Sequence, residues 1–229
     1  MIRGLIFDFD GLILDTESPE YRTWQQVFWD HGCELVLSDW AQGIGRGADD
    51  IVFDPYAVLE ATSGRTIDCA AIHARRRKHY ADLIAAEIVL PGVEDYMVAA
   101  LRGGLVVGVA SSSPHEWVDG HLARLDLGRY ITAVACADDV GRAKLDPAVY
   151  RAALAMLHLQ PDEAVAFEDS PNGITAAKAA GIACVAVPNP LTADLTLDHA
   201  DLRLTSLAAV PLETVLAEME RRVSDRLGG

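Results

Sequence analysis

The chain has 229 residues, about half of them apolar, with 34 acidic against 19 basic side chains and a formal net charge of -15 at pH 7. Such an acidic balance opposes a phosphate backbone and speaks against a nucleic-acid partner. No apolar run approaches the ~20 residues that span a bilayer, and no basic stretch followed by an apolar core marks a leader, so a soluble, cytoplasmic protein is expected, with no membrane partner. Cys33, Cys69, Cys136 and Cys184 form no CxxC pair and lie mostly in apolar stretches, as reduced core thiols do.

Residues 3–9 read as an apolar strand that delivers Asp8 and Asp10 and breaks at Gly11. Carboxylates two apart at a strand end face the same side, and ligands bind at that end of a parallel sheet. The pair therefore suits a metal-holding nucleophile with an acid/base partner, although a DxDG string can also be a simple turn. An EF-hand loop is excluded, because Leu12-Ile13-Leu14 and Pro19 occupy positions that need oxygen ligands.

Tyr21, Trp24, Val27 and Phe28 then fall at helical spacing, and Ile72, His79 and Leu83 mark a later helix, so residues 16–86 read as helical. This stretch holds the one basic cluster, Arg75-Arg76-Arg77-Lys78. It is ordinarily a solvated helix face but would suit a small anionic substrate. The glycines at 43–47 follow no strand and lack GxGxxG spacing. Beyond Pro91-Gly92 the pattern alternates. A strand at 105–110 and a helix with Trp117, Val118, Leu122 and Leu125 precede segments at 131–135, 147–157, 164–167, 171–180 and 182–187, in strand, helix, strand, helix, strand order. That is the signature of βα units and a parallel sheet. A closing helix carries Leu212, Val215, Leu216 and Met219, with 224–229 expected to fray. The economical reading is an α/β core, 1–15 and 87–229, interrupted by a helical insertion, 16–86.

Three more strand ends bear reactive groups. Ser111-Ser112-Ser113 follows a strand and precedes a helix opened by Pro114, where hydroxyls and N–H groups can hold phosphate oxygens or serve as a helix cap. Glu168-Asp169 ends another strand, and adjacent carboxylates there call for a cation such as Mg²⁺ or sit at a helix N-terminus that favours acids. Lys144 lies in a loop before a helix. Together these are the parts that handle a phosphoryl group: nucleophile, oxygen donors, cation and metal ligands. GxxxxGK[ST], HExxH and GxSxG are all absent.

In this order FDFDGLILDT, VASSS, AKLDP and FEDSPNGI resemble the four motifs of the haloacid dehalogenase-like hydrolase superfamily, in the branch with β-phosphoglucomutase and sugar-phosphate phosphatases. The resemblance implies a Rossmann-like three-layer α/β core with a mainly parallel sheet and an inserted helical cap. It implies Asp8 as nucleophile, Asp10 as acid and base, and Lys144 as the balancing cation. Mg²⁺ would be held by Asp8, the Asp10 carbonyl and Asp169, with Glu168 orienting its waters, and Ser111 and Ser112 would hold phosphoryl oxygens. Thr16 and Glu17 lie at the hinge, and Arg46 and Arg76 are the cap cations expected to face a small phosphorylated metabolite. Leu145 and Ala148 depart from the family's KPxPD loop. Glu20 stands where the mutases often carry a histidine, which favours a phosphatase over a phosphosugar mutase; a non-catalytic phosphometabolite binder is the third reading. Nothing in the chain specifies an oligomeric state, and a monomer is compatible with it.

Overall fold

The computed structural model describes residues 1–40, 43–44 and 53–227. Six parallel strands, β1 (Gly4–Phe7), β2 (Val106–Ala110), β3 (Ala133–Ala135), β4 (Ala164–Glu168), β5 (Ala183–Ala186) and β6 (Leu202–Arg203), lie in the order β3-β2-β1-β4-β5-β6. β1 is central, with Gly4 in register with both Val106 and Ala164. The order reverses on either side of β1, and this switch point opens a crevice beyond the carboxyl ends of the strands.

Side-chain alternation explains the layers. Leu5, Phe7, Val107, Val109, Val165 and Phe167 face one cluster, covered by α5 (Val93–Arg102), α6 (His115–Arg124) and α10 (Leu212–Leu227). Ile6, Ala110, Ala164, Ala166 and Cys184 face the other, under α7 (Ala137–Val140), α8 (Ala148–Leu157) and α9 (Pro171–Ala179), where the smaller residues let the helices approach closely. Because both faces are covered, the strands are continuous apolar runs rather than alternating ones. The expected three-layer Rossmann-like core is thus present.

Between β1 and β2 come α1 (Glu17–Asp30), α2 (Leu37–Trp40), α3 (Pro55–Ser63) and α4 (Cys69–Ala86), the inserted helices expected from the sequence. They gather around a separate cluster of Tyr21, Trp24, Val27, Phe28, Leu35, Leu59 and Ile72. α3 starts on the Asp54 carboxylate, which accepts from Tyr56 and Ala57 N–H, and ends at left-handed Gly64. The far end of α4 belongs to the core instead, through Tyr80 and Ile84.

Two local expectations are corrected, and one strand was not read from the sequence at all. Of the stretch 224–229 expected to fray, α10 takes in 224 to Leu227, supported by i,i+4 pairing of Arg222 with Glu218, and 228–229 lie outside the described residues. β6 has only two residues, too few to produce a pattern. Cys69 is exposed at the start of α4, whereas Cys136 and Cys184 are buried and Cys33 half-buried. No described helix is long and apolar enough to cross a membrane.

Candidate active site

Asp8 follows β1 directly and remains part of the sheet, its N–H donating to Phe167 O at 3.0 Å. Its carboxylate accepts from Phe9 N–H at 2.7 Å and from Lys144 Nζ. Lys144 reaches it from the loop before α8, whose backbone is pinned by Lys144 N–H donating to Ser112 Oγ at 3.0 Å. The ammonium also donates to Glu168 Oε1 at 2.7 Å, and the same oxygen accepts from the Tyr150 hydroxyl at 2.6 Å. Asp169 accepts from Asn189 Nδ2 at 2.8 Å, and that amide also donates to Gly11 O at 3.2 Å. One ligand oxygen from each of Asp8, Glu168 and Asp169 lies within 4.8 Å of the others, and all three residues are buried.

Of three buried carboxylates, two share the Lys144 ammonium and the third, Asp169, has among the described residues only the Asn189 amide. Burial, then Glu168 and Asp10, push the Asp8 carboxyl up to about 8 in spite of Lys144. Burial, with Asp8 and Glu168 close by, raises Asp169 well above the carboxylate range. For Lys144 burial disfavours the charged form, but Asp8 and Glu168 outweigh it and raise the ammonium's pKa. The site is therefore short of positive charge, and its oxygen-only donor set fits a hard divalent cation.

Above this floor opens a cavity of about 510 Å³, walled by Thr16, Glu17, Glu20, Ile44, Arg77 and Tyr80 on one side and Ser112 to Pro114 and Trp117 on the other. Asp10 also lines it. Its carboxylate accepts from Ser113 Oγ at 2.6 Å, Trp117 Nε1 at 2.9 Å and Ser111 Oγ at 3.2 Å. Thr16 is buried at the N-terminus of α1. Glu17, half-buried at the cavity wall, is pushed up to about 8 by burial and by Asp10, Glu20 and Asp15. Ser111 and Glu168 are fully buried and lie beneath the cavity rather than on its wall.

Arg76 departs from expectation. It turns into the helical insertion, where it pairs with Glu20 and lies over the Trp24 ring with 4.7 Å between guanidinium carbon and centroid. Its neighbour Arg77 lines the cavity instead. Arg46 lies outside the described residues. Asn189 and Tyr150 were not anticipated, Trp117 reads from the sequence only as an apolar helix marker, and Ser113, expected to face phosphate oxygens or cap a helix, donates to Asp10 instead. The only signal for Asn189 was its position in Pro188-Asn189-Pro190 just beyond a strand.

The sequence model of the haloacid dehalogenase-like hydrolases matches residues 2–181. This chain belongs to that family. Among curated relatives of this hydrolase, a Bacillus subtilis protein, the candidate phosphatase YhcW, is 44% identical over 216 residues, 94% of this chain and 97% of its own. The validoxylamine A 7'-phosphate phosphatase of Streptomyces hygroscopicus is 31% identical, covering 92% of this chain and 96% of its own. Among solved structures, CbbY of Rhodobacter sphaeroides in complex with phosphate superposes with a TM-score of 0.70 at 27% identity, over 91% of this chain and 96% of its own. A CbbY variant has also been seen with xylulose-(1,5)bisphosphate, at 26% identity. A hydrolase of the phosphatase type, in the sugar-phosphate branch, agrees with these relatives.

The position of Glu168 depends on a glycine. A Cβ on Gly173, in the first turn of α9, would lie 2.0 Å from the Glu168 carboxyl carbon. Gly173→Ala is expected to displace that carboxylate and to lower stability by about 1–3 kcal/mol, read from urea unfolding. Unchanged unfolding would show that the helix start can yield.

Proposed function

We propose that this hydrolase is a Mg²⁺-dependent phosphomonoesterase of a small phosphorylated metabolite, most concretely a sugar phosphate, acting through an aspartyl phosphate on Asp8. The observation that carries it is the buried trio Asp8, Glu168 and Asp169 with Lys144 bridging the first two, directly under the cavity. A dianionic phosphate cannot approach ionised Asp8 unless positive charge offsets the repulsion. Lys144 supplies part of it, and Asp8, Asp169 and the Asp10 carbonyl would hold Mg²⁺, with Glu168 supporting them. When bound, the ion would neutralise the phosphoryl oxygens and the nucleophile's surroundings.

The chain's residues divide the remaining work. Asp8 Oδ attacks phosphorus as the ester oxygen departs, and Asp10 gives that oxygen a proton. Asp10, now ionised, takes a proton from a water that attacks the acyl phosphate, which frees Asp8 and inorganic phosphate. Ser112 at the mouth of β2, with Ser111 beneath it, orders the loop that faces the phosphoryl oxygens. Residues 16–86 act as a cap that shields the site from bulk water, and the cap's Arg77, Tyr80 and Glu20 face the organic part. The relative that dephosphorylates validoxylamine A 7'-phosphate and the xylulose bisphosphate seen in a CbbY variant support this substrate class. Glu20, which pairs with Arg76, stands where the resemblance implies a histidine in the mutases, and this favours water over a second phosphoryl acceptor.

Chelation tests the metal requirement. EDTA is expected to abolish phosphate release from a phosphomonoester panel, and Mg²⁺ to restore it. Mg²⁺ at 100 times its dissociation constant would raise folding stability by about 2.7 kcal/mol. Turnover that survives chelation, with no thermal shift on adding Mg²⁺, would refute the metal assignment.

A further inference from the structure

Asp10 is held by a residue that no motif named. Trp117, half-exposed on α6, lines the cavity and donates its indole N–H to Asp10 Oδ1 at 2.9 Å. An indole nitrogen can only donate, so it pins Oδ1 of the carboxylate while Ser113 and Ser111 hold Oδ2. The same ring stacks on Tyr80 of α4, with centroids 5.9 Å apart and planes 17° from parallel. Behind it His121 packs edge-on at 4.3 Å, so the indole cannot swing away from both partners at once. Further along the same helix, Arg124 donates to the carbonyls of Ile84 at 3.3 Å and Glu87 at 2.9 Å, at the end of α4. Residues 117, 121 and 124 share one face of α6, and that face grips α4 at one place while reaching Asp10 at another.

We propose that Trp117 is a positioning residue that sets the Asp10 carboxylate for proton transfer and, through its stack on Tyr80, ties that setting to the placement of the inserted helices. The inference rests on Asp10 acting as the acid of the proposed hydrolysis. Misplacing an acid weakens only the steps that need its proton. An alkyl ester's oxygen must be protonated as it leaves, whereas p-nitrophenolate departs unaided, so the two ester types separate positioning from general damage.

The test compares kcat/KM, which covers the steps up to alcohol departure, for p-nitrophenyl phosphate and for the sugar phosphate turned over fastest in a panel, both with Mg²⁺. The proteins are wild type, Trp117→Phe, Tyr80→Leu, Asp10→Asn and Asp8→Asn. Trp117→Phe keeps an aromatic ring for Tyr80 but loses the donor. It is expected to lose about tenfold on the sugar phosphate, a fraction of the 10²–10⁴ that acid–base catalysis supplies, and much less on the aryl ester. Asp10→Asn should show the same selectivity more strongly, and Tyr80→Leu more weakly. An equal loss on both esters, or none on the sugar phosphate, overturns the role of Trp117. Unaltered selectivity in Tyr80→Leu overturns the tie to the inserted helices. Turnover that persists in Asp8→Asn would overturn the hydrolysis on which the inference rests, a result distinguishable from the others because only that variant reports it.

Discussion

Lys144→Ala is expected to abolish phosphate release and also to be the most destabilising single change in the site. The ammonium is buried and donates to both Asp8 and Glu168. Without it three buried carboxylates face one another with no protein cation between them. Removing one partner of a buried ionic cluster costs about 3–5 kcal/mol, which for a domain of this size is a fall in Tm of about 6–20 °C. The loss should be larger in EDTA than in Mg²⁺, because a divalent ion supplies part of the missing charge. The comparison belongs at pH 9, above the value of about 8 to which Asp8 is pushed, and a Tm within a degree of wild type there in EDTA would sink the charge argument for the site.

Asp8→Asn should reduce phosphate release by at least about 10³-fold, since an amide oxygen is a far weaker nucleophile and the other acids cannot replace it. Stability should move the opposite way from Lys144→Ala. In metal-free protein Asp8 is pushed up to about 8, above its unfolded value, so the folded state holds a proton that the unfolded state has released. Such a group's contribution is fully present below the unfolded pKa and is lost as pH rises through about 8. Metal-free wild type should therefore lose stability between pH 5 and 8, and Asp8→Asn, which cannot ionise there, should lose less. The check is thermal unfolding at pH 5, 6.5 and 8 in EDTA, alongside phosphate release in Mg²⁺. A steeper pH dependence in the variant would contradict the burial of this charge.

The core was legible because its strands are covered on both faces. Residues 4–7, 106–110 and 164–167 are unbroken apolar runs, and each ends in a polar group that the backbone then presents at one rim. That is why Asp8, Ser111, Glu168 and Asp169, read from separate places in the chain, lie together in space. The basic cluster was not legible because four consecutive helical residues point in four directions. Arg75 pairs with Asp30, Arg76 turns inward, Arg77 lines the cavity and Lys78 pairs with Asp82. Composition marks the cluster but cannot say which member faces which way. Trp117 was legible only as an apolar helix marker; that its nitrogen reaches Asp10 depends on the packing of α6 across β1 and β2. Asn189 escaped because a lone amide in a proline-flanked turn carries no periodicity.

The central place of β1 also governs when the site can come into being. Gly4 has to find Val106 on one side and Ala164 on the other, and none of its sheet neighbours is close in sequence. Closing such long loops before the contacts reward it is slow. During synthesis, Asp8 is made early but has no Lys144, Glu168 or Asp169 to face until β4 has followed the ribosome's progress through most of the chain. The inserted helices have their own apolar cluster, whereas the carboxylates at the ends of β1 and β4 can meet only once these two distant parts of the chain have paired. A divalent cation held by Asp8 and Asp169 would therefore bind only after β1 and β4 have paired, so it stabilises the assembled sheet rather than any one segment of it.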